Sequence, residues 1–167
     1  TIRSGRSLPS SVVAVTCYPA SPLAHAADVV HTTAAAAERS VAQTRSFSSM
    51  LLVGQAVAAV LGGHDLAPLD GLPVHAARLL SEGRPSMGAL AGDGTLDAFY
   101  FLASGPLLGV ASEGMLKLKE MSLTSSEAYH AMEFRHGPMS MCDSSAAVIA
   151  LLSRERLELE QAVLRGA

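Results

Sequence analysis

The chain has 167 residues, a formal net charge of −3, and 49% apolar residues. That length holds one domain or two small ones, and that apolar content buries a core, which excludes a disordered chain. The near-neutral charge and the few aromatics exclude nucleic acid as a main partner, and no apolar stretch is long enough to span a bilayer.

The pattern along the chain alternates strand and helix. Ser4-Gly5-Arg6-Ser7 reads either as a plain turn or as a hydroxyl-rich loop that holds phosphate with backbone N–H groups. Val12 to Cys17 predicts a short buried parallel strand, followed by turn residues Pro19, Ser21 and Pro22. Ala24 to Ala27 predicts a short helix, and Asp28 to Thr33 a second strand. The longest helical pattern runs from Glu38 to Leu61 and stops at Gly62-Gly63. Its first half is rich in Ser and Thr, which predicts a loop over Glu38 to Thr44 leading into the helix. Asp65 to Pro73 is a connection, Val74 to Leu80 a short helix, and a linker or hinge falls within Gly83 to Asp93.

Ala98 to Ala103 is a clear strand, closed by Ser104-Gly105-Pro106, with Pro106 suited to a first helical turn. A helix follows over Leu107 to Leu123, then a strand over Ala147 to Leu152 and a helix-like run from Glu155 to Leu164. Short buried strands alternating with helices predict an α/β fold with a parallel sheet. The pattern occurs twice, giving a partial first unit over 1–85, a linker over 86–95 and a partial second unit over 96–167. The chain begins at Thr1 and stops soon after a helix-like run, and it reads as a piece of a longer protein. The opening residues do not read as a signal peptide.

The residue types that carry chemistry concentrate between Phe99 and Asp143. Glu113, Lys117 and Glu120 are spaced i, i+4 and i+7, which places them on one helix face. That face is either a solvated charged stripe or the wall of a cleft at the C-terminal edge of the sheet, where α/β folds bind ligands. His136 lies in Arg135-His136-Gly137-Pro138, either as an incidental surface residue or as a side chain presented by a Gly-Pro turn. His25, His31, His64, His75 and His130 are scattered and read as incidental. Cys17 and Cys142 lack metal-ligand spacing and read as buried free thiols in a reducing cytoplasm.

Together, Glu113-Gly114-Met115-Leu116-Lys117-Leu118-Lys119-Glu120, Glu127-Ala128-Tyr129 and His136-Gly137-Pro138 resemble the sugar isomerase (SIS) domain family. The likeness is to the isomerase half of glucosamine-6-phosphate synthase and to related phosphosugar isomerases and deaminases. Glu38 to Phe47 resembles the family's loop-to-helix segment lining the sugar pocket, and Ser4-Gly5-Arg6-Ser7 its phosphate loop.

The resemblance implies a three-layer αβα sandwich built of two incomplete tandem units. It implies Glu120 as the general base moving a proton between C1 and C2. Lys117 would stabilise the developing oxyanion. His136 would assist ring opening from the neighbouring subunit of a homodimer. Ser4 and Ser7 would bind phosphate, Val41 and Gln43 would contact the sugar, and Glu113 would belong to the same pocket. The implied activity is aldose–ketose isomerisation of a hexose 6-phosphate, amino sugars included, of the glucosamine-6-phosphate deaminase/isomerase type. No metal or cofactor is implied, and the expected location is the cytoplasm. The alternative is a SIS-domain sensor that binds sugar phosphate without turnover. A sensor needs no Glu120, so retention of Glu120, Lys117 and His136 together favours the enzyme.

Several positions depart from the family's pattern. Ile2 stands where the family has a further hydroxyl, and only Leu8-Pro9-Ser10 separates Ser7 from the next apolar run, where the family has a helix. The lysine that forms a Schiff base with the ketose in the synthase branch falls beyond Ala167. No glutaminase domain is present, so synthesis from glutamine is not implied.

Overall fold

Short β-branched runs become strands where the sequence places them. In the computed structural model, which describes residues 11–167, β1 (Val13–Thr16) pairs in parallel with β2 (Val29–Thr32) in the register Val13 to Val29. Parallel strands need a crossover, and α1 (Pro22–Ala26) supplies it, with Pro22 in the first turn and the Ser21 hydroxyl accepting from the Ala24 N–H. The 17-residue helix α2 (Arg45–Leu61) ends at Gly62, and Gly63 takes the left-handed backbone (φ 67°) that ends a helix without Cβ strain. The loop predicted before this helix is present, ending at Thr44.

The helix predicted over Val74 to Leu80 is far longer. It is α3, 21 residues over Leu72–Gly92, and it runs through the segment read as a hinge. Pro85 lies inside it and removes one hydrogen bond to the carbonyl four residues back. None of the side chains of α3 is fully buried, so water can satisfy that carbonyl and the helix continues. The chain divides into two compact units between Glu82 and Gly83.

In the second unit β3 (Ala98–Ala103) is the centre of a parallel three-stranded sheet. Its neighbours are β4 (Ser125–His130) and β5 (Ala146–Leu151), in the order β4-β3-β5. The sequence did not mark β4. Its Ser-Ser-Glu start is polar, and it forms because Ala98 to Ala103 present a complete ladder, pairing with Ser125 to His130.

Alternation along β3 separates two faces. Phe99 and Phe101 point towards α4 (Leu107–Ser122), whereas Tyr100 and Leu102 point into a core with Ala131, Phe134 and Val163. Ala131 and Phe134 belong to the short helix α5 (Ala131–Phe134), and Val163 to α6 (Leu157–Leu164). Helices therefore cover both faces of this sheet, the three-layer α/β arrangement.

Gly114 lets α4 approach closely. A Cβ there would stand 3.1 Å from the Phe101 ring. The helix ends at Leu123, which holds the left-handed backbone at φ 57°.

Candidate active site

The turn from β3 into α4 is short, and α4 then runs back along the sheet to the start of β4. Its last turn lies near the edge where the strands begin. Lys117 and Glu120 are thus not at the C-terminal edge of their own sheet, where the cleft-wall alternative would put them. The reason is direction: a helix joining two parallel strands is antiparallel to both.

The i, i+4, i+7 face does form. The Lys117 Nζ lies 2.7 Å from Glu120 Oε2 and 3.4 Å from Glu113 Oε1. The Lys117 stem runs beside an apolar cavity of about 420 Å³ whose lining includes Phe99, Phe101, Leu118 and Ile149. The hydrogen bond to Glu120 raises the Lys117 pKa, desolvation opposes it, and Glu113 adds to the rise. The ammonium is therefore a fixed positive charge, suited to stabilising an anion rather than to accepting a proton. Glu120 is exposed and Glu113 half-buried.

His136 is exposed on the turn after α5, where its N–H donates to the Glu133 carbonyl at 2.9 Å. Gly137 beside it has φ 147°, a backbone open chiefly to glycine. This turn follows α5, whose Phe134 packs on the Tyr100 face, so the sheet separates it from α4. Tyr129 donates its hydroxyl hydrogen to Glu127 on the same strand, and that bond, with burial, pushes the Tyr129 pKa up to about 12. His130, read as incidental, caps α5 by accepting from the Met132 N–H at 3.3 Å.

The first unit holds Val41 and Gln43 on the loop before α2, both exposed. A residue not singled out as a site residue, Glu38, closes that loop. Its carboxylate accepts from the N–H groups of Thr44 (3.0 Å), Arg45 (3.2 Å) and Ser46 (2.8 Å), and from the Thr44 (3.0 Å) and Ser46 (2.6 Å) hydroxyls. The signal for it was a Glu several residues ahead of a Ser/Thr-rich helix start that has no side-chain cap of its own.

These bonds, led by the Ser46 hydroxyl and amide, lower the Glu38 pKa from an ordinary 4.5 to about 2. A depressed carboxyl stabilises the fold above its ordinary pKa and loses that contribution as pH falls through the folded value. An NMR titration of the Glu38 carboxyl should therefore find it ionised well below 4.5, with its transition near 2, and the loop should open only there.

Ser4 and Ser7 lie outside the described residues. Among the described residues no group of three His, Cys, Asp or Glu side chains is arranged to hold a metal, and no helix is long and apolar enough to cross a membrane. Cys17 is a buried free thiol, 3.2 Å from the Thr33 hydroxyl. Cys142 is only half-buried, because it follows a turn at the rim of the core rather than lying in a strand.

Residues 97–165, which include the second sheet, α4 and the His136 turn, match the SIS domain family model. This segment is a SIS domain. The chain is 36% identical over 150 residues to glutamine–fructose-6-phosphate aminotransferase of Pyrobaculum aerophilum, covering 85% of this chain and 25% of that protein. It is 33% identical over 172 residues to the Escherichia coli protein of the same name, covering 92% and 28% respectively. The chain thus spans little more than a quarter of these curated relatives.

Among solved structures, glucosamine-6-phosphate deaminase of Thermotoga maritima superposes with a TM-score of 0.81 at 27% identity, covering 92% of this chain and 47% of that one. Tagatose-6-phosphate ketose/aldose isomerase of Escherichia coli gives 0.76 at 25% identity, covering 91% and 44%. The SIS domain and its α/β fold are therefore shared with enzymes named for phosphosugar isomerisation and deamination.

Proposed function

We propose that this SIS protein is an aldose–ketose isomerase of a hexose 6-phosphate, of the glucosamine-6-phosphate deaminase/isomerase type. The observation that carries this reading is the Glu113–Lys117–Glu120 cluster. It sets a carboxylate 2.7 Å from an ammonium whose proton is held firmly. Glu120 takes the proton from C2 of the open-chain aldose and returns it to C1. The negative charge that develops on the C1 oxygen is met by Lys117, which Glu113 steadies from the other side. With glucosamine 6-phosphate the ketose imine so formed takes up water and releases ammonia, leaving fructose 6-phosphate. Ser4 and Ser7 hold the phosphate, and Val41 and Gln43 the sugar.

His136 protonates the ring oxygen for opening, and it does so in the site of a second copy in a homodimer. The sheet between α4 and the His136 turn supports this: one copy of the SIS domain offers Glu120 and His136 on opposite faces. Closed two-fold dimers exchange residues reciprocally.

The reading is tested by a coupled assay on the full chain with glucosamine 6-phosphate, following ammonia and fructose 6-phosphate. Ammonia release supports deamination, and interconversion of neutral hexose phosphates supports plain isomerisation. Binding without turnover moves the assignment to a sensor. Mixing tests the exchange of His136. Chains carrying Glu120→Gln and chains carrying His136→Ala, each inactive alone, should regain roughly a quarter of wild-type activity when refolded together in equal amounts. Half of such dimers are mixed, and each has one intact site. No recovery would place His136 in its own chain's site.

A further inference from the structure

The loop over residues 39–43 is held by almost nothing of its own. Among the described residues, none of its five members takes part in a backbone or side-chain hydrogen bond. Val41 at its middle is 94% exposed, so packing does not hold the loop there either. What shapes the loop is its base. There the Glu38 carboxylate takes five donors from Thr44, Arg45 and Ser46. The backbone before the loop is pinned as well. The Tyr18 hydroxyl donates to the Glu38 carbonyl at 2.6 Å, and the Arg45 guanidinium to the Ala37 carbonyl at 2.6 Å.

We propose that Glu38 is the positioning residue of this loop: its carboxylate clamps residues 39–43 shut onto the start of α2 and so sets how Val41 and Gln43 meet the sugar. The inference rests on the functional reading above, in which those two residues contact the substrate. Its physical basis is that a carboxylate at a helix N-terminus satisfies N–H groups the helix cannot and is favoured there by the helix dipole. Here the carboxylate comes from the far side of the loop, so the capping bonds also close a ring of chain. Removing them frees the loop without touching the proton-transfer cluster on α4.

The test compares the full wild-type chain with Glu38→Ala and Glu38→Gln. Hydrogen exchange is followed over residues 39–48, and kcat and KM are measured with glucosamine 6-phosphate. Exchange at Thr44 and Ser46 should quicken at least about 10-fold in Glu38→Ala, the consequence of unpairing charge-assisted bonds. KM should rise by roughly 10-fold with kcat within about 3-fold of wild type, because the loop binds and does not react. Glu38→Gln keeps one acceptor oxygen and should fall between, and it carries the comparison should Glu38→Ala not fold.

Unchanged exchange, or an unchanged KM in an active enzyme, overturns the clamp while leaving the functional reading intact. So does a fall in kcat at constant KM. A wild-type chain that neither binds nor turns over hexose 6-phosphates removes the functional reading, and the substrate role of the loop with it.

Discussion

Glu120→Gln should lower kcat for hexose 6-phosphate turnover by roughly 10²–10⁴-fold, the range for losing a positioned general base, with KM little changed. Gln keeps the shape of the side chain and an oxygen that can still accept from the Lys117 ammonium. It cannot hold a proton between C2 and C1. Glu113 retains its 3.4 Å ion pair with Lys117, so the helix face stays assembled. The fold should therefore melt as wild type does, which separates lost chemistry from lost structure. Steady-state kinetics beside a thermal melt make the measurement. A variant that retains wild-type kcat would remove Glu120 from the mechanism and reduce the Glu113–Lys117–Glu120 face to a solvated charge stripe.

The largest stability effect is expected in the SIS domain core. Phe134 is 0% exposed, with ring centroids 5.5 Å from Tyr100 and 5.7 Å from Tyr129. Phe134→Ala should destabilise the domain by about 3–5 kcal/mol, the transfer loss of the ring plus the cavity it leaves. Whole domains are stable by only about 5–15 kcal/mol, so this is a large share. Denaturant unfolding followed by tyrosine fluorescence would read it directly, since Tyr100 and Tyr129 flank the lost ring. The same substitution should disturb the His136 turn, which begins at Arg135, directly after Phe134. A loss below about 1 kcal/mol would mean that the three rings do not form the centre of the core.

How much of this was legible in the chain depends on where the forces come from. β3 was plain, because Ala98 to Ala103 are six apolar residues in a row and the central strand of a covered sheet must be apolar on both faces. β4 was not, because Ser125, Ser126 and Glu127 have little strand preference and pair only because β3 stands beside them. The segment read as a linker or hinge within Gly83 to Asp93 became part of α3, Pro85 included, since an exposed helix can tolerate breakers that a packed one cannot. Cys142 was read as buried from its apolar neighbours, yet it lies at the rim, a position set by the turn before β5.

Local chemistry was written in the chain: Glu113, Lys117 and Glu120 share a face, α2 stops at Gly62-Gly63, and a Gly-Pro turn carries His136. Helical periodicity and backbone stereochemistry act over a few residues and need no partner. It took the assembled sheet to return Lys117 and Glu120 on α4 towards the edge where the strands begin, and to stand between Glu120 and His136. The folded loop alone showed that Glu38 reaches six residues along the chain to cap α2. Each of these follows from strand direction, the face of the sheet or loop closure, which exist only once distant segments have paired.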